Sequence, residues 1–221
     1  MIILPRRAVI RSDERPAEPF VAWAQQREAA RLGMWLFLAT EVMMFGSLIL
    51  VAWFYQLQHP DGVAQAVAVL HWQLAAANTF MLLTSSLLMT LALAARTPRY
   101  ARRLRRCLLG ATLSGVLFLM CKGVEYGLEY REGLLPGFAV DSPLPLPSAR
   151  LFMNLYFIAT ALHAVHVLVA VGLGLWLYLR LAPDTLLTRG TRTRLEMVTL
   201  YWHLVDGIWI LLFPTLYLAG R

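Results

Sequence analysis

A chain of 221 residues that is 59% hydrophobic and only 15% charged is too apolar for an ordinary soluble domain and too rich in apolar runs for a disordered one. Its formal net charge of +7 would suit a nucleic-acid binder, but the basic residues fall between the apolar runs, where they orient a membrane protein instead. The two cysteines, Cys107 and Cys121, lie fourteen residues apart on one apolar segment; as helix that is ~21 Å, beyond disulfide reach, so they read as small hydrophobes and leave the redox compartment open.

Residues 1–31 are charged and punctuated by proline, and form a cytoplasmic or interfacial segment in this reading. The stretch MIILPRRAVIRSDERP holds too short an apolar run for a cleavable signal. Phe20, Val21 and Trp23 precede Gln25, Gln26 and Arg27, a pattern that predicts a short interfacial helix over 19–31 feeding the first span. The remainder, 32–221, predicts an all-α domain of five transmembrane helices. The first, 32–55, carries one charge, Glu41, among apolar neighbours, and is long enough to cross a bilayer core of roughly 30 Å. Glu41 falls ~13.5 Å along it. An ionised carboxylate at that depth is costly unless paired, hydrogen-bonded or protonated.

Residues 56–70, with His59, Pro60, Asp61 and no Lys or Arg, read as a brief loop. The second span, 71–95, carries Asn78, Thr79, Thr84, Ser85, Ser86 and Thr90. Small and hydroxyl-bearing residues let membrane helices approach and hydrogen-bond, so this span is expected to pack inside the bundle. Six arginines crowd 96–106. The third span, 104–130, holds Lys122, the only lysine, with Glu125 and Glu129. A Pro-rich loop over 131–150 leads to the fourth span, 151–181, with His163 and His166, and the fifth, 197–219, carries His203 and Asp206.

Counting Lys and Arg orients the spans. Six lie in the N-terminal tail, six in 96–106 and four in 180–196, against none in 56–70, two in 131–150 and one at the C-terminus. The positive-inside rule then predicts a cytoplasmic N-terminus and an external C-terminus. The arginines need no nucleic acid.

Lys122 and Glu125, His163 and His166, and His203 and Asp206 are each three residues apart, so each couple shares a helix face and can pair. Imidazoles and carboxylates at this spacing could build a metal or haem site, or simply hydrogen-bond between helices and fix packing. With His59 and His71 in or beside an external loop, three histidines remain, too few for a di-metal centre. A bis-histidine haem between the fourth and fifth spans is geometrically open, but no other feature asks for one. No Gly-rich phosphate loop, nucleophile triad or Cys-x-x-Cys pattern occurs, so no catalytic, metal or cofactor-binding residue is assigned. Lys122 lies ~27 Å into its span and Glu41 ~13.5 Å in from the same face. Glu41 is thus expected out of reach of Lys122, protonated, and hydrogen-bonded to a hydroxyl or carbonyl of a neighbouring span.

The stretches GMWLFLATEVMMFGSL, NTFMLLTSS, FLMCKGVEYGLEY, YFIATALHAVHV and YWHLVDGIWILLFPTLYL resemble, in order, signature segments of cytochrome c oxidase subunit III, in its short bacterial five-helix form. On those motifs Glu41 matches the family's buried acidic residue and Glu125 the Glu-Tyr of the third segment. His163 and His166 match a Thr-Gly-x-His-x-x-His pattern, and His203 and Asp206 a Trp-His-x-x-Asp motif. The resemblance implies a subunit without a redox centre in a bacterial plasma membrane. It would pack against the haem-copper catalytic subunit I, and through it subunit II, stabilise the complex and support proton uptake. Haem and copper would belong to the partners, with phospholipid bound to this chain; whether the chain itself counts as an enzyme stays open. The complex would oxidise cytochrome c, reduce dioxygen to water and pump protons in aerobic respiration. Two departures stand out. The two family helices that partly wall a lipid-filled cleft are missing, which puts the cleft in question. Ala161 and Ala164 also stand where the family has Gly.

Relatives of this family also serve quinol oxidases and accompany nitric oxide reductases; Glu41 favours the cytochrome c branch. A different class is a stand-alone proton-coupled transporter using Glu41, Lys122–Glu125 and His203–Asp206 as relays, against which stands the lack of an internal repeat or paired broken spans.

Overall fold

In the computed structural model, the described residues are 16, 18–94, 101–135, 144–181 and 189–219; they form six helices and no strand. These are α1 (Trp23–Gln58), α2 (Pro60–Ala68), α3 (Trp72–Ala94), α4 (Ala101–Arg131), α5 (Pro147–Arg180) and α6 (Arg189–Tyr217). All but α2 are long and apolar enough to cross a membrane, which bears out the five-span, all-α expectation. Helices suit that solvent because each satisfies its own backbone donors and acceptors where no water reaches. Arg96 and Arg99, residues 136–143 and 182–188, and Arg6, Arg7, Arg11 and Arg15 lie outside the described residues.

Two boundaries differ from the sequence reading. Residues 23–31 are the opening turns of α1, not a separate interfacial helix, and at 36 residues α1 is longer than a bilayer core requires. Residues 56–70 are not a plain loop, because they hold α2. Pro60 opens that helix and Asp61 sits in its first turn, both suited to an N-terminus. Gly62, Val63, Ala66 and Val67 form its buried stripe. A Cβ on Gly62 would lie 2.2 Å from Ser148 Oγ, so only glycine lets α2 settle on the start of α5.

The five spans close into one bundle. α4 packs between α3 and α5, while α6 lies between α1 and α3 with its back on α5. The tightest approach of α4 and α5 is set by Gly115 and Gly174. A Cβ at Gly115 would lie 2.6 Å from Val171 Cγ2, and one at Gly174 2.7 Å from Thr112 Oγ1. The α3–α6 seam is stitched by hydroxyls of the second span: Trp209 Nε1 donates to Thr79 Oγ1 and Trp202 Nε1 to Ser85 Oγ, each at 3.0 Å. At the other seam of α6, Gln56 Nε2 of α1 donates to Thr215 O at 2.7 Å. Ala161 is exposed, so its methyl does not hold α5 away from a neighbour. The outward surface is bulky and apolar, with Met43, Met120 and Leu168 well exposed. Lipid tails accept such a surface.

Candidate functional site

Where α4 and α6 end and α5 begins, five polar side chains are sealed inside the bundle. Lys122 and Glu125, one turn apart on α4, pair at 3.1 Å with side chains 3% and 0% exposed. Lys122 Nζ also donates to the hydroxyls of Tyr156, at 3.0 Å, and Tyr217. Tyr217 Oη donates to Glu125 Oε1 at 2.7 Å, and Tyr156 Oη approaches Glu129 Oε1 at 2.7 Å and Glu125 Oε1 at 3.0 Å. The rings of Tyr126, Tyr156, Trp209 and Tyr217 surround the ammonium at 5.0 to 5.6 Å, adding cation–π attraction in a desolvated setting. The expected Lys122–Glu125 pair is thus made, within a larger cluster.

Glu41 and His166 meet across the α1–α5 seam, Oε2 to Nε2, at 2.9 Å. The expected partner of Glu41, a hydroxyl or carbonyl, is replaced by this imidazole. The second ring nitrogen, Nδ1, lies 2.8 Å from Leu162 O. A carbonyl only accepts, so Nδ1 carries a proton. The Nε2–Oε2 contact then holds one further proton, on either atom, and the pair is neutral overall. Phe45 packs edge-on against the His166 ring at 5.1 Å.

Beside this pair, α1, α5 and α6 part to leave a cleft of about 760 Å³. Phe37, Tyr201, Val169 and Leu173 are among its lining, and Arg27 and Arg194 stand among its polar residues. Arg194 lies over the Trp176 ring at 5.8 Å. Tyr201 ties the cleft to the acid–imidazole pair by donating to His166 O at 3.3 Å.

His163, though one turn from His166, faces a different environment. Its ring stacks on Trp209 at 5.1 Å and meets the edges of Phe45 and Phe118 at 6.4 and 5.6 Å. It is a core side chain. His203 does not pair with Asp206 as the spacing suggested. Its Nδ1 meets Ser86 Oγ at 2.7 Å and its Nε2 meets Thr90 Oγ1 at 3.3 Å, both on α3. Asp206, 3% exposed, points to the same seam among Leu82, Val167 and Trp202. Among the described residues no three His, Cys, Asp or Glu side chains converge as a metal would need. His203, the one histidine of α6, already meets α3 hydroxyls at both ring nitrogens, so it is not free to act as the fifth span's haem ligand.

The sequence reading assigned Glu41, Lys122, Glu125, His163, His166, His203 and Asp206, and the structure distributes them over four environments. It missed Glu129 as a cluster member, although Glu125 and Glu129 are four apart and so share a face. Tyr156 and Tyr217 gave no sign, because a tyrosine in an apolar run reads as core. Arg27 and Arg194, counted for topology, gave no sign of a cleft.

Fold and site together define a multi-pass helical membrane subunit in which Lys122 pairs with Glu125 and Glu41 with His166 inside the bundle. The chain belongs to the cytochrome c oxidase subunit III family, which it matches over residues 23–221. It is 32% identical over 204 residues to a haem-copper oxidase subunit I+III of Aeropyrum pernix, covering 89% of this chain but only 23% of that longer protein. It is 27% identical to cytochrome c oxidase subunit 3 of Thermostichus vulcanus, over 86% of this chain and 87% of that one. It is also 28% identical to the cytochrome bo(3) ubiquinol oxidase subunit 3 of Pseudomonas aeruginosa, over 85% and 84%.

Proposed function

We propose that this chain is the non-redox subunit III of a proton-pumping terminal oxidase of aerobic respiration, seated in a bacterial plasma membrane with its N-terminus in the cytoplasm. It binds the haem-copper catalytic subunit I, and through it subunit II, stabilises the complex and supports proton uptake. The observation that carries this reading is the pairing of Lys122 with Glu125 and of Glu41 with His166. Such pairs fix helix packing and leave redox chemistry to a partner. Phospholipid suits the cleft of α1, α5 and α6, with acyl chains along Phe37 and Leu173 and the phosphate near Arg27 and Arg194.

Cytochrome c is the donor this reading favours. A quinol is the second reading, because the relative from P. aeruginosa is named a ubiquinol oxidase subunit at similar identity. Purification through a tag on this chain from native membranes, followed by mass spectrometry and turnover with each donor, separates the two. A haem-copper subunit that co-purifies and oxidises reduced cytochrome c is the expected result. Turnover with quinol alone moves the chain to the second branch, and recovery without any haem protein overturns both.

A further inference from the structure

The bundle surface is not chemically uniform. Midway along α6, His203 is only partly buried, and Thr90, which it meets, is exposed. Thr90 Oγ1 donates to Ser86 O at 3.0 Å and lies 3.3 Å from His203 Nε2, while Ser86 Oγ lies 2.7 Å from His203 Nδ1. The result is a patch of imidazole and two hydroxyls on the α3–α6 face, about one turn in from the end of α3. Four residues on, Gly207 shares the His203 side of α6, and a Cβ there would meet nothing within 4 Å. Elsewhere the exposed hydroxyls of Thr40, Ser47 and Thr84 turn back to backbone carbonyls. Bulky apolar side chains are exposed on all five spans, Leu87 of α3 and Leu211 of α6 among them, so the imidazole and hydroxyls form a polar island in an apolar surface.

We propose that the α3–α6 face around Ser86, Thr90, His203 and Gly207 is the surface on which the haem-copper catalytic subunit docks. The inference rests on the subunit III reading and adds the place of contact. Acyl chains cannot hydrogen-bond, so a half-exposed imidazole on this face suits a polar side chain of another protein helix. The glycine beside it lets such a helix come close. In the A. pernix relative, named subunit I+III, the segment matching this chain is part of one polypeptide with a subunit I. That makes the catalytic subunit the occupant rather than a second copy of this chain.

Four helical glycines, Gly46 on α1, Gly123 on α4, Gly172 on α5 and Gly207 on α6, are each open, with nothing within 4 Å of an added Cβ. Leucine at any of them leaves the interior of the bundle untouched, and so makes a matched set of bumps on four faces. In the complex purified through this chain, Gly207→Leu should lower the catalytic subunit recovered per tagged chain by roughly tenfold, about 1.4 kcal/mol. The other three should stay near wild type. A photo-cross-linker at Leu87, exposed beside the patch, should label the catalytic subunit, whereas one at Leu168 on α5 should label lipid. The proposal is overturned if Gly207→Leu recovers the full complex, if another glycine of the set proves the sensitive one, or if Leu87 labels only lipid or a second copy. Recovery of no haem-copper subunit by the wild-type chain overturns the subunit III reading itself, which keeps the two failures apart.

Discussion

The contact between Glu41 and His166, 2.9 Å long, shows how a single residue is made tolerable at span depth. With Nδ1 committed to Leu162 O, the acid and imidazole share one proton and carry no net charge wherever it sits. A glutamine at 41 can donate an amide N–H to Nε2 and keep the same proton arrangement. Glu41→Gln should therefore stay near wild type in thermal unfolding and in retention by the complex. Glu41→Ala leaves Nε2 without a partner, which should cost about 1–2 kcal/mol. Equal losses in both variants would show that the carboxyl acts through charge rather than through this hydrogen bond. The sequence pointed to Glu41 clearly, because a lone acid in an apolar run is conspicuous. It could not name the partner, since His166 lies 125 residues away and only packing brings it near.

Between elements, the cluster around Lys122 does the joining: its ammonium on α4 touches Tyr156 of α5 and Tyr217 of α6. Removing the cation alone strands Glu125, which is 0% exposed and lies 3.1 Å from the ammonium. Breaking a buried pair from one side typically costs about 3–5 kcal/mol. Lys122→Met should thus unfold in detergent at a markedly lower temperature. Adding Glu125→Gln should restore much of the loss, because a neutral pair has no stranded charge. A double variant no better than the single one would mean that the aromatic cage, not the charge pair, is the joint. The i,i+3 spacing of Lys122 and Glu125 made this pair legible, as did the long apolar runs for the helices themselves. α2 was not legible as helix, because its apolar stripe of Val63, Ala66 and Val67 is short and opens on His59-Pro60-Asp61, which reads as a turn.

For the whole molecule, span number and helix type followed from apolar length alone, the strongest signal a membrane chain carries. Which face meets lipid did not, because outward and inward residues are equally apolar; only the polar exceptions, such as His203, distinguish one side. The cleft was equally hidden, since its walls come from three helices far apart in sequence. The central claim is that the histidines of the spans serve packing and docking while redox chemistry lies in a partner. The most direct test replaces His163, His166 and His203 singly by alanine in the assembled oxidase and records its visible spectrum. The account predicts an unchanged spectrum per haem, with less of this chain retained in the complex. Loss of a haem band in any one of the three variants would contradict it.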